Sequence, residues 1–254
     1  RSVTGRPVKV ALPGPYLLAR TMWLECLTDR WYESRERLAE DVVRVLREEL
    51  HFLLAAGAAI VQFDEPVLTE VVFTGPKNRR SFMCGALSEK GDPERELAFA
   101  EGLLHRLLEG VPRERTALHV CRGNWTRDES ALLAGDYRPL AGFLSRAPVG
   151  TLFLEFSTPR AGEFEALASL PRDLRLGVGL VNPKQERIEP VEEILGRAER
   201  AARVFGLSRL LLVPDCGFAT FADNPVASSG VAEGKLRALG AVRDVLRAKA
   251  RPPL

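Results

Sequence analysis

The chain contains no run of about 18 apolar residues, so nothing in it reads as a helical membrane span. It also lacks an excess of one charge. Its 36 basic and 34 acidic residues are scattered and leave a formal charge of +2, unlike the basic stripe of a dedicated nucleic-acid binder. The opening residues, Arg1 to Arg6, do not follow the charged-then-apolar layout of a secretory signal. Only four cysteines are present, Cys26, Cys84, Cys121 and Cys216, far apart in a chain too large to need disulfide staples. The expected setting is cytoplasmic, with reduced thiols. Neither a GxGxxG fingerprint nor a GxxxxGK loop followed by Ser or Thr occurs, which weakens dinucleotide and nucleotide readings. No low-complexity linker divides the chain, so residues 1–254 read as a single domain.

What is present is a repeating alternation. The chain is 46% hydrophobic, and its short apolar runs recur at Val8–Leu12, Ala59–Asp64, Ala117–Cys121, Leu152–Phe156, Leu174–Val181 and Leu210–Val213. These runs are nearly continuous, as in strands buried on both faces. Helical patterns separate them. Leu38, Val42, Val45, Leu46, Leu50 and Leu54 form a stripe in Glu36–Ala56. Asp92-Pro93 opens a second helix as cap and first residue, with Glu94 and Glu96 near its positive end and Leu97, Ala100, Leu104 and Leu107 inside. A third, Pro190–Phe205, is stopped by Gly206. Six strand–helix units imply parallel strands joined by right-handed crossovers, in a barrel or a doubly wound sheet.

Polar residues gather just after the strands: Asp64-Glu65, His119 with Cys121, Glu155, Asn182, and Asp215-Cys216. Barrel enzymes place their chemistry at that end. In His119-Val120-Cys121 the alternation of a strand sends imidazole and thiol to one face. With Cys216 and Glu155 they make a donor set that suits tetrahedral zinc. A lone strand cysteine is more often a small buried hydrophobe, and a lone strand histidine a satisfied core residue. Spacing alone leaves both readings open.

At these residues the sequence resembles the catalytic barrel of cobalamin-independent methionine synthase, in order along nearly the whole chain. Val8-Lys9-Val10-Ala11-Leu12-Pro13-Gly14-Pro15 looks like that family's third strand and its Gly-Pro turn. Gln62-Phe63-Asp64-Glu65-Pro66 is similar to the end of its fourth. His119-Val120-Cys121 matches its zinc pair, Leu154-Glu155 the strand supplying a glutamate ligand, and Pro214-Asp215-Cys216-Gly217 the last ligand segment. The resemblance implies a (β/α)8 TIM barrel of which this chain carries about six units, strands three to eight. The first two units, which in the family carry a Gly-Ser turn and a substrate-binding glutamate, are expected upstream of Arg1. The Arg122-Gly123-Asn124-Trp125 continuation departs from full-length methionine synthases and resembles their shorter single-barrel relatives.

The family's activity implies a methyl transfer to a thiol, homocysteine giving methionine, from a 5-methyltetrahydrofolate-type donor. It implies zinc held by His119, Cys121, Glu155 and Cys216. Asp64 resembles the aspartate that binds the substrate ammonium; Glu65 assists or orients a loop. Together they are the expected catalytic pair. Arg122 meets a substrate carboxylate or the donor's acidic tail, or else forms a surface ion pair, and Asp215 orients His119 or its own loop. Trp23, Trp31 and Trp125 offer a stacking wall for a pterin, although packing is expected for at least two of them. Cys26 and Cys84 have no assigned chemistry. The rival readings are a related zinc thiol alkyltransferase with another donor, such as methylcobalamin or a small molecule, a metal-free enzyme like uroporphyrinogen decarboxylase, and a non-catalytic zinc-stabilised protein.

Overall fold

The computed structural model describes residues 4–73, 91–123, 126–129, 133–221 and 224–250; Cys84 and Trp125 lie outside them. Six strands, β1 (Lys9–Pro13), β2 (Ile60–Asp64), β3 (Thr116–Val120), β4 (Thr151–Leu154), β5 (Arg175–Val181) and β6 (Leu210–Pro214), form one sheet in strict chain order. The registers β1–β2, β2–β3 and β5–β6 are parallel. A doubly wound sheet reverses direction at a switch point, whereas consecutive barrel strands stay sequential. The order is that of a (β/α)8 barrel. The packing divides into two compact units, Arg1–Arg122 with Pro139–Leu152, and Gly123–Arg138 with Phe153–Leu254.

In the first unit, helix α1 (Pro15–Met22) follows β1, and α2 (Arg35–Ala55) runs from a Ser34 cap whose side chain accepts from the Arg37 N–H. Leu38, Val42, Leu46 and Leu50 of the α2 stripe are buried, but Val45 is 53% exposed. At 100° per residue Val45 falls outside the arc the others share. After the short α3 (Val67–Val72), α4 (Pro93–Leu108) starts on the Asp92 cap, whose carboxylate accepts from the Arg95 N–H. Glu96, read from sequence as a first-turn acid, is buried. It accepts the Tyr16 hydroxyl at 2.7 Å and both ends of the Arg35 guanidinium. Helix α5 (Ala141–Arg146) precedes β4.

In the second unit, α6 (Val191–Phe205) closes at Gly206 as expected, and α7 (Ser229–Lys249) follows a Ser228 cap. A short antiparallel pair, β7 (Ala219–Phe221) and β8 (Asn224–Pro225), comes directly after the Cys216 segment and had no counterpart in the sequence pattern. Along β6 and α7 runs an apolar groove of about 550 Å³, lined among others by Phe153, Leu211, Leu236 and Leu239.

The expectation of strands buried on both faces holds for β3 and β4 throughout, and for β5 beyond its exposed first residue. It fails for β1, which alternates between exposed and half-buried, and for β6, which is half-buried along its length. Among the described residues these are the two end strands of the sheet, each with a neighbour on one side only. Tryptophan packing also departs from expectation: Trp31 is 85% exposed and Trp23 half-buried. Both belong to the stretch between α1 and α2, where a short 3-10 turn lays its side chains along the surface.

Candidate metal centre

In the first unit, β3 delivers His119 and Cys121 to its C-terminal end, and both are buried. The neighbouring strand places Asp64 opposite His119 in register. Two further bonds fix the backbone there. The Glu65 N–H donates to the His119 carbonyl at 2.9 Å, and the Thr69 hydroxyl donates to the Cys121 carbonyl at 3.0 Å. Asp64 accepts from the Gln62 amide at 2.6 Å, while Lys9 donates to the Gln62 carbonyl oxygen. Burial raises the Asp64 pKa above the usual carboxylate range, and the nearby His119 pulls it back.

Glu65 is fully buried. Its carboxylate accepts the N–H groups of Tyr16 at 2.7 Å and Leu17 at 2.8 Å, at the start of α1. Gly14 makes this possible, because a Cβ there would collide with the Glu65 carboxyl group. These partners belong to a loop anchor, the second of the two roles the sequence left open for Glu65. Arg122 is fully buried, with its guanidinium carbon 5.8 Å from the centre of the Phe73 ring. The surface ion pair weighed for it from sequence is therefore corrected, because the side chain is fully buried.

In the second unit, Glu155 directly follows β4 and is fully buried. Its N–H donates to the Tyr137 hydroxyl oxygen at 3.0 Å, and its carboxylate lies 2.6 Å from Arg160. Asp215 takes the N–H groups of Phe156 at 3.0 Å and Ser157 at 2.9 Å on one oxygen, and the Ser157 hydroxyl on the other. A side chain at Gly179 would strike this carboxylate. Burial first, and then the charge of Glu155, push the Asp215 pKa up to about 7. Asp215 thus orients the loop after β4. Tyr137 and Arg160 escaped the sequence reading, because they sit in irregular segments with no periodicity and no strand-end spacing.

The ligand atoms of His119, Cys121 and Cys216 all lie within 4.8 Å of one another; Glu155 is not in this group. Cys216 is half-buried, and none of Cys26, Cys121 and Cys216 forms a disulfide. A tetrahedral ion with bonds of about 2.0–2.3 Å separates its donors by roughly 3.3–3.8 Å. One imidazole and two thiols suit a borderline-soft metal rather than a hard one.

Sequential parallel strands with a thiol-rich donor cluster define an α/β barrel protein with a candidate metal site. The profile of the cobalamin-independent synthase catalytic domain matches residues 1–90 and 135–231, and the chain belongs to that family. The match does not include 91–134, where His119 and Cys121 lie. The uncharacterized protein YxjH of Bacillus subtilis (strain 168) is 28% identical over 232 residues, which cover 90% of this chain and 59% of that protein. The methionine synthase of Thermococcus kodakarensis is 26% identical over 216 residues, covering 85% and 52%. Among solved structures, a B12-independent methionine synthase from Shewanella sp. W3-18-1, in complex with selenomethionine, superposes with a TM-score of 0.72. It is 25% identical, and the likeness covers 98% of this chain and 64% of that one. The chain therefore spans a little over half the length of the curated relatives it matches.

Proposed function

We propose that this chain is the zinc-bearing part of a methyltransferase that moves a methyl group to a thiol, homocysteine giving methionine, with a 5-methyltetrahydrofolate-type donor, in the cytoplasm. The observation that carries the reading is the grouping of His119, Cys121 and Cys216 in a member of this family. Two things support the substrate class. Relatives of this chain are named methionine synthases, and the Shewanella enzyme is seen with a methionine analogue.

In this reading His119, Cys121 and Cys216 hold zinc, and Glu155 is the fourth ligand. Bound zinc supplies the Lewis acidity that makes a thiol nucleophilic at neutral pH. The ionised Cys121, Cys216 and Glu155 carry one negative charge more than a divalent ion neutralises, so the chain's own ligands keep the site electron-rich. Asp64 receives the ammonium group of the amino-acid thiol. Its bond from Gln62 fixes the carboxylate, and an incoming cation opposes the cost of ionising it in a buried place. Glu65 holds the turn after β1 against the end of β2. Arg122, a buried cation beside the Cys121 segment, meets a carboxylate of substrate or donor.

The test is metal content followed by activity. Protein purified without added metal should hold about one zinc per chain, and Cys121→Ser or Cys216→Ser should lose most of it. The full-length gene product should then form a thioether from homocysteine when offered a panel of methyl donors. Serine variants that keep full zinc would overturn the ligand assignment.

A further inference from the structure

Glu155 is fully buried, and its carboxylate faces Arg160 at 2.6 Å; the Arg160 side chain is only 11% exposed. Arg160 does not serve Glu155 alone. The same terminal nitrogen lies 3.1 Å from Glu129, and the other donates to the Leu133 carbonyl at 3.1 Å. Glu129 is held in turn on its second oxygen by the side-chain amide of Asn182, just beyond β5. The backbone closes the same loop: the Gly135 N–H donates to the Arg160 carbonyl at 3.1 Å, and the Glu155 N–H donates to the Tyr137 hydroxyl oxygen at 3.0 Å.

We infer that Arg160 is a positioning residue that fixes the orientation of Glu155 toward the metal, and that Glu129 is what lets it do so without cancelling the Glu155 charge. The inference rests on the zinc reading above. A guanidinium is planar, with donors in fixed directions; here one terminal nitrogen faces both carboxylates while the other donates to the Leu133 carbonyl, which sets the plane of the group. Here one cation stands between two anions, so the group of three keeps a net negative charge. Arg160 pins the buried carboxylate, and Glu129 takes up part of the positive charge that would otherwise compete with the ion. Groups that orient a ligand from behind commonly matter about 10–100-fold to metal affinity.

Zinc affinity measured by competition with a chelator, on the full-length protein, tests this. Arg160→Gln should weaken zinc binding about 10–100-fold, and Glu155→Gln should do the same. The double variant should be no weaker than Glu155→Gln alone, because Arg160 acts through that carboxylate. Arg160→Lys keeps the charge but loses the fork, so it should fall between wild type and Arg160→Gln. That milder variant keeps the test open if Arg160→Gln does not fold. A structural role alone would lower the thermal stability of the zinc-free protein without a zinc defect that depends on Glu155. Wild-type affinity in both Arg160 variants, or a loss that persists undiminished in the Glu155→Gln background, would overturn the role of Arg160 while leaving the metal centre standing. Wild-type protein that binds no zinc would overturn the metal reading itself, and the role of Arg160 with it.

Discussion

Glu65 carries a carboxylate into a place without solvent, and each of its oxygens meets one backbone N–H, from Tyr16 and from Leu17. Those amides open α1, where the peptide dipoles favour negative charge. Burial outweighs them and pushes the Glu65 pKa up to about 8, with a smaller push from Asp64. A carboxyl group whose pKa is higher folded than unfolded stabilises the fold fully below its ordinary value. That contribution is lost as pH rises through the folded value. Between roughly pH 4.5 and 8, wild type should therefore lose stability relative to Glu65→Gln, which cannot ionise. At about 1.4 kcal/mol per pKa unit, a rise from 4.5 to about 8 makes the relative loss on the order of 4–5 kcal/mol. Urea unfolding of both proteins at pH 5, 7 and 8.5 measures it, and equal pH slopes would refute the argument.

Among the helices, α7 contributes a lysine with no access to water. Lys235 is fully buried. Its ammonium lies 2.7 Å from Glu189 and also donates to the Arg187 carbonyl. Glu189 accepts the Asn182 N–H on its other oxygen, so the pair ties α7 to the segment leaving β5. Removing one partner of a buried pair strands the other charge. Lys235→Met should cost about 3–5 kcal/mol in urea unfolding, and Glu189→Gln in the same chain should recover part of it. A single variant within about 1 kcal/mol of wild type would show that the ammonium is dispensable. Nothing in the sequence announced this pair, because the helical patterns legible there end at Phe205, before α7 begins. The elements it joins were more legible. Strand positions came within two residues, since an apolar run between helical periods has few other readings. The Asp92 cap and the Gly206 stop are local chemistry that needs no tertiary information. Val45, Trp31 and Arg160 depend on which neighbours arrive from elsewhere in the chain, and periodicity does not carry that. His119, Cys121 and Cys216 were legible as types and order, and their donor atoms lie close together, whereas Glu155 stands outside that group. The partners of Glu155 and Asp215 were not, because they come from irregular loops.

For the whole molecule, a bound metal is part of the folding equilibrium. The three donors of the cluster are far apart in sequence, His119 and Cys121 on one strand end and Cys216 nearly a hundred residues on. An unfolded chain cannot hold them together, so an ion that binds the folded chain stabilises it by mass action. Free zinc at a hundred times its dissociation constant contributes about 2.7 kcal/mol. For a chain of this size that corresponds to a rise in Tm of roughly 5–10 °C. Thermal unfolding with buffered zinc and with excess chelator should differ by that amount, and the difference should grow with free zinc. Cys216→Ser should shrink it, because one thiol donor is gone. The dependence on acid has a definite sign as well. Thiols must lose protons and the imidazole must be neutral to bind, so the zinc-linked gain should fade as pH drops below neutrality. A Tm that ignores zinc and chelator alike at pH 7.5 would show that the cluster does not take up the metal, whatever its geometry allows.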